Sequence, residues 1–167
     1  SVARENLEEA RRMMRALRPE ALEQAGGLMA ALTRVTAEWA QRTGVPCSLT
    51  VTGTELPLHA DLDVLLLRAT QELLSNVRKH AQASRVTVTL SYMSDVVALD
   101  VRDDGVGFLA NEPGDEELAT GWGLRGLRER TAQFDGRLSI ESTRGEGATA
   151  TLTMPAFRAT SDEVLSS

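Results

Sequence analysis

The segment "DDGVGF", residues 103–108, places two carboxylates directly before two glycines at the end of an alternating apolar run. An ionised Asp103 would accept a hydrogen bond from an exocyclic amine such as that of adenine. Gly105 and Gly107 lack the side chains that would keep a flat ring away from the backbone. Asp and Gly are also the commonest turn formers, so the segment predicts either a plain turn or one wall of a ligand pocket.

A second group of polar residues lies on one predicted helix. Its members are Glu72, Asn76, Lys79 and His80, which fall within an arc of about 100° beside the apolar stripe of the helix. Such groups are costly to desolvate unless something pairs with them. Mg²⁺ with a triphosphate would do so through the oxygen of Asn76, with Glu72 as a second candidate ligand. The alternative interpretation is a solvated helix edge.

A third segment, "GWGLRGLRER" (residues 121–130), places Gly121 and Gly123 just before a predicted helix. Free N–H groups and the helix dipole make such a position suitable for binding a phosphate. The alternative is a simple loop followed by a helix start.

The chain opens with a helix predicted over residues 1–18. Its apolar residues Ala3, Leu7, Ala10, Met14 and Leu17 form a heptad seam. Pro19 does not fit a helix interior, so the helix should end or bend near Arg18. The seam predicts either a dimerising helix or an intramolecular packing face.

The remaining elements must position the three polar segments. In chain order they are a helix over 27–42, a strand over 46–53, a long helix over 61–81, strands over 84–92 and 95–103, a helix over 123–134, and strands over 136–143 and 148–155. The two late strand pairs are predicted to be antiparallel hairpins. The order predicts an α+β domain with helices packed on one face of a mixed, mostly antiparallel sheet.

Three regions are expected along the chain. Residues 1–26 would be a helical stub and linker, 27–156 the main domain, and 157–167 a flexible tail. Residues 109–122 have no apolar period, and a loop of this length in a compact domain is typically a lid, a binding loop or a disordered segment.

The composition is that of a soluble globular domain. The 167 residues carry a net charge of −6 and one cysteine, Cys47. A purely electrostatic nucleic-acid binder is therefore not expected, and neither an internal disulfide nor a thiol-rich metal site is possible. No apolar run is long enough to cross a bilayer, so we expect no membrane contact. These features predict a cytoplasmic chain. The chain also starts within a predicted helix, which indicates that it is a piece of a longer protein.

The segments "QELLSNVRKHA", "DDGVGF" and "GWGLRGLRER" together resemble the N, G1 and G2 boxes of the catalytic ATP-binding domain of sensor histidine kinases. That GHKL domain shares its Bergerat fold, a two-layer α/β sandwich, with gyrase, heat-shock chaperone and mismatch-repair ATPases. The "KHA" ending, the "GLRGLRER" form and the preceding "ALRP" resemble the NarX/DesK-like subfamily, which pairs with NarL/LuxR-type response regulators. The resemblance covers residues 1–155.

The resemblance implies that ATP and Mg²⁺ bind to this chain. Asn76 would ligate Mg²⁺, Lys79 would meet the phosphates, and His80 would lie near the nucleotide. Glu72 would act beside the metal, either by activating water, as in the related ATPases, or by orienting water or metal. Asp103 would bind the adenine amine. The other nucleotide-binding positions implied are Gly105, Gly107, Gly121, Gly123 and Leu124.

The resemblance also implies an activity: the γ-phosphate passes to a histidine and then to an Asp of a response regulator, in a protein that is a homodimer at full length. The chain's histidines, His59 and His80, do not fit the acceptor motif, so we expect no autophosphorylation by the chain alone. Two alternatives are a GHKL ATPase of the chaperone or topoisomerase type and a degenerate nucleotide-binding interaction module. Trp122 and Ala148 depart from the family pattern.

Overall fold

The computed structural model of the chain describes residues 26–107 and 124–156. Its elements are helix α1 (Leu28–Thr43), strand β1 (Cys47–Thr52), helix α2 (Ala60–Asn76) continued by a π-helical turn (Val77–Ala81), strands β2 (Val86–Tyr92) and β3 (Val96–Asp103), helix α3 (Leu124–Ala132), and strands β4 (Arg137–Thr143) and β5 (Gly147–Pro155). The strands form one sheet in the order β1-β2-β3-β5-β4, and the helices pack against it and against each other. The predicted α+β class is confirmed.

The sheet is antiparallel except at one edge, where β1 runs parallel to β2. Both predicted hairpins form, as the pairs β2–β3 and β4–β5. Leu99 lies opposite Leu90 on one side and opposite Leu152 on the other, and all three are fully buried. Because side chains alternate across a strand, this register places one apolar face of the sheet in the core.

Helix α1 covers part of that core through a narrow apolar face. Leu28, Leu32 and Trp39 are buried, and their spacing places them on one side of the helix. The indole Nε1–H of Trp39 donates to the carbonyl oxygen of Leu74 at 3.0 Å, which satisfies its polar atom inside the core. Gly44 ends the helix in the left-handed conformation, with φ of 74°.

Helix α2 is the central helix of the domain. The apolar stripe of this helix is buried throughout, at Leu62, Leu66, Ala69, Leu73 and Val77. His59 caps its first turn, since the Asp61 N–H donates to His59 Nδ1 at 3.1 Å. The helix was predicted to reach Ala81, and it does, but residues 77–81 are wound as a π-helix. The prediction of α-helical spacing is therefore wrong for the last turn.

Three further predictions concern the thiol of Cys47, membrane-spanning helices and the remaining segments of the chain. Cys47 is half-buried, and burial raises the pKa of its thiol to about 11, so it stays protonated at neutral pH. Among the described residues, no helix is both long enough and apolar enough to cross a membrane. The predicted first helix, the 109–122 loop and the tail lie outside the described residues.

Candidate functional site

Strand β3 ends in two adjacent carboxylates with different surroundings. Asp103 is 4% exposed, and its Oδ1 accepts a hydrogen bond from the Gly105 N–H at 2.8 Å. Burial raises the pKa of this carboxyl, although backbone N–H groups of Gly105 and Ala148 oppose the shift. A buried carboxylate at a strand end is suited to receiving a ligand's hydrogen-bond donor.

Asp104 is exposed and has a structural task. Its Oδ1 accepts from the backbone N–H groups of Ser84 and Arg85 at 2.8 and 2.9 Å, and its Oδ2 accepts from the Ser84 hydroxyl at 2.6 Å. These bonds, the Ser84 hydroxyl first, lower the pKa of Asp104. Asp104 therefore fixes a turn, which is one of the two interpretations of "DDGVGF", while Asp103 faces inward.

The glycines after Asp103 allow the chain to pass close to other backbone. A Cβ at Gly105 would overlap the carbonyl oxygen of Ala81, and a Cβ at Gly107, where φ is +60°, would overlap that of Thr143. A Cβ at Gly147, where φ is +90°, would overlap the carbonyl oxygen of Asp103. The sequence argument, which assigned Gly105 and Gly107 only to leaving room for a ring, missed this packing role.

The same close passage joins the glycine segment to the end of α2. The Val106 N–H donates to the carbonyl oxygen of Ala81 at 2.8 Å, and the Gly145 N–H donates to the carbonyl oxygen of Val106 at 2.6 Å. Residues 103–107 are therefore held between the π-helical turn and the β4–β5 turn. This brings two of the three predicted polar segments together.

The polar residues of α2 differ in their burial. Asn76 is 6% exposed, and its Nδ2 has no hydrogen-bond partner among the described residues. Lys79, on the π-helical turn, is exposed, and His80 is half-buried. A buried amide without a partner is costly, so the site suits a ligand that offers an acceptor to Asn76. π-helical turns are frequent at functional sites.

Glu72 has a partner that the sequence did not indicate. Its Oε2 accepts from Nη2 of Arg130, on α3, at 2.6 Å. The two residues are 58 positions apart in the chain, and no local pattern predicts such a pair. Glu72 is therefore joined to α3 at Arg130, the last residue of the third polar segment.

The third segment is only partly described. Gly121, Trp122 and Gly123 lie outside the described residues. Leu124 begins α3, and its side chain is 1% exposed. The core holds this side chain, so only the backbone of Leu124 is suited to contact a ligand.

The donor set fits Mg²⁺ held chiefly by a nucleotide. The parts of the chain that the structure describes contain no cluster of three His, Cys, Asp or Glu side chains that would hold a metal unaided. Mg²⁺ keeps several waters and takes one or two protein oxygens together with substrate phosphates. The buried side chain of Asn76 matches that requirement.

Comparison with known proteins decides the family. Residues 61–158 match the family described as histidine kinase-, DNA gyrase B-, and HSP90-like ATPases. The chain belongs to this ATPase family. Its predicted membership of the sensor histidine kinase group is supported by relatives with that name.

Two of the relatives of this ATPase domain are bacterial sensor histidine kinases. MctS of Rhizobium johnstonii is 36% identical over 149 residues, which are 89% of this chain and 32% of the relative. ComP of Bacillus subtilis is 36% identical over 131 residues, 78% of this chain and 17% of the relative. The chain thus spans about a third or less of their length.

Solved structures share the fold of the domain. The blue-light activated histidine kinase of Erythrobacter litoralis aligns with a TM-score of 0.63 at 20% identity, over 82% of this chain and 51% of that one. Full-length ShkA, in complex with AMPPNP, aligns with a TM-score of 0.65 at 20% identity, over 80% of this chain and 30% of that one. These neighbours confirm the Bergerat fold implied by the sequence.

Proposed function

We propose that this chain is the ATP-binding catalytic domain of a bacterial sensor histidine kinase of the NarX/DesK-like subfamily. Family membership and the similarity to MctS and ComP support the kinase assignment. The "KHA" and "GLRGLRER" sequences support the subfamily.

The observation that carries the proposal is the buried carboxylate of Asp103. Its Oδ1 accepts from Gly105 N–H at 2.8 Å; a carboxylate has about four acceptor sites, so Oδ2 has capacity for a ligand donor beside the backbone N–H groups of Gly105 and Ala148. The exocyclic amine of adenine would donate to Oδ2. Because Asp103 is 4% exposed, this bond would form away from bulk water.

The triphosphate would extend from Asp103 toward the end of α2. The exposed ammonium of Lys79 would bind phosphate oxygens, with His80 near the nucleotide. Asn76 would direct Nδ2 to a phosphate oxygen and its amide oxygen to Mg²⁺, which would satisfy the buried nitrogen. Mg²⁺ would neutralise phosphate charge, and Gly121 and Gly123 would contribute backbone N–H groups.

The reaction would be phosphoryl transfer to a histidine outside this chain. A histidine nitrogen attacks the γ-phosphorus while the bond to the β,γ-bridging oxygen breaks, and ADP departs with the electron pair. His59 caps α2, which is a structural task. We further propose a homodimeric full-length protein, a NarL/LuxR-type response regulator as the next acceptor, and a cytoplasmic location for this domain.

Base specificity tests the assignment of Asp103. Titration with AMPPNP and with the corresponding guanine analogue, each with Mg²⁺, should show adenine preferred by at least about 100-fold, because guanine presents an oxygen where adenine presents its amine. Equal affinity for both analogues would refute the role of Asp103. Addition of a separate acceptor-helix segment with labelled ATP should then yield phosphohistidine.

A further inference from the structure

We infer that Arg130 is a positioning residue that keeps the carboxylate of Glu72 from activating water for ATP hydrolysis. The inference deepens the proposed function and rests on it. Its starting point is the 2.6 Å contact between Arg130 Nη2 and Glu72 Oε2.

Glu72 lies where a free carboxylate could act on ATP. It stands one helical turn before Asn76 on the same face of α2, and Asn76 is the residue proposed to face the phosphates. A carboxylate at this position could take a proton from water as the water oxygen attacks the γ-phosphorus. The bond from the γ-phosphorus to the bridging oxygen would break, and ADP and inorganic phosphate would leave.

Arg130 holds one oxygen of the carboxylate that would perform that step. Its Nη2 donates to Glu72 Oε2. The Arg130 side chain is 37% exposed and the Glu72 side chain is 29% exposed. Arg130 Nε is buried without a partner among the described residues. The guanidinium thus makes its contact with Glu72 while the hydrogen bond of its Nε–H is not formed. This arrangement indicates that the contact to Glu72 is what holds the guanidinium in place.

The other arginines of α3 provide a contrast. Arg125 pairs with Glu129 on the same helix, and both side chains are largely exposed at 84% and 68%. Arg128 is also exposed. Arg130 runs past Gly126, with Nη1 3.5 Å from the position that a Cβ there would take. Of these side chains, Arg130 is the one that reaches across to α2.

The consequence is selectivity of the phosphoryl acceptor. With Glu72 held by Arg130, water lacks this base beside the γ-phosphate, whereas the attack of a histidine nitrogen, which uses its own lone pair, does not depend on Glu72. The pair therefore conserves ATP until the acceptor helix presents its histidine.

Phosphate release from ATP tests this inference. In the 167-residue chain, Arg130→Met should raise Mg²⁺-dependent hydrolysis by at least about tenfold, a fraction of what a general base contributes. The matched control is Arg128→Met, which removes the same charge from an exposed position of α3 and should leave hydrolysis at the wild-type rate.

A double variant and a conservative variant separate this role from mere loss of structure. The gain from Arg130→Met should vanish when Glu72→Gln is also present, because no base is then released. Arg130→Lys keeps the cation and the fold, and should give a smaller gain, about threefold, since an ammonium makes a less constrained contact than a guanidinium. No gain in either Arg130 variant, or a gain that persists with Glu72→Gln, would overturn the inference.

Binding of AMPPNP, measured on every variant, distinguishes failure of the inference from failure of the proposed function. If the wild type does not bind the analogue, the proposed ATP site is wrong. If all variants bind it and hydrolysis does not rise in the Arg130 variants, only the role of Arg130 is wrong.

Discussion

The two ends of the proposed ATP site are built in different ways. The adenine end consists of Asp103, Gly105 and Gly107, and the phosphate end of Glu72, Asn76, Lys79 and His80. Backbone contacts with Ala81 and Thr143 fix the adenine end. The phosphate end consists of side chains on the last turns of one helix, and its buried amide nitrogen lacks a partner among the described residues. The proposed adenine end is therefore built into the backbone of the fold, whereas the proposed phosphate end would be completed by the ligand.

The largest expected effect follows from the backbone packing of the adenine end. Gly147→Ala would drive a Cβ into the carbonyl oxygen of Asp103 at a φ of +90°, so unfolding free energy should fall by about 3 kcal/mol or more. Urea unfolding measures this loss.

Gly145→Ala is the matched control. Gly145 has a φ of +85°, but nothing lies within 4 Å of its would-be Cβ. Only backbone strain of about 1 kcal/mol should result. Equal losses in the two variants would mean that the close approach to Asp103 does not hold the adenine end together.

At the phosphate end, a substitution should change binding more than folding. Asn76→Ala should weaken AMPPNP binding by about tenfold with Mg²⁺ and much less without it, because the metal contact is lost. Lys79→Ala should weaken binding in both conditions, since the ammonium contacts phosphate directly. A loss for Asn76→Ala that is independent of Mg²⁺ would contradict the metal assignment.

The fold was largely predictable because its signals are local. Alternating apolar residues in 84–92 and 95–103 indicated β2 and β3, and the stripe from Leu62 to Val77 indicated α2. The placement of β5 between β3 and β4 is a long-range pairing that hairpin patterns do not encode. The π-helical turn was missed because helical periodicity assumes α-helical spacing.

The candidate site was predictable by residue type but not by contact. Asp103 and Asp104 look alike in sequence, and their roles are separated only in the structure, by the burial of Asp103 and by the bonds from Ser84 to Asp104. The partner of Glu72 could not be found from sequence, because any of several arginines in α3 offers the same charge.

The smallest expected effect is a gain of stability at the adenine end. Burial raises the folded-state pKa of Asp103, so its contribution to stability is fully present below the unfolded pKa, about 3.9, and is lost as pH rises through the folded value. Asp103→Asn should therefore raise the unfolding free energy at pH 7 by about 0.5–1 kcal/mol. The gain should shrink toward zero below about pH 4, as urea unfolding at the two pH values would show. A loss of stability at pH 7 would contradict the burial cost.

The most direct test of the ATP site is calorimetric titration of AMPPNP with Mg²⁺ into Asp103→Asn and Asp104→Asn. Asn at position 103 keeps the acceptor for the Gly105 N–H but turns an NH₂ toward the adenine amine, so affinity should fall by at least about 100-fold. Asn at position 104 removes the same charge one residue away, where the carboxylate only holds Ser84 and Arg85, and affinity should stay within about twofold of wild type. Similar affinities for the two variants would contradict the account that Asp103 recognises adenine.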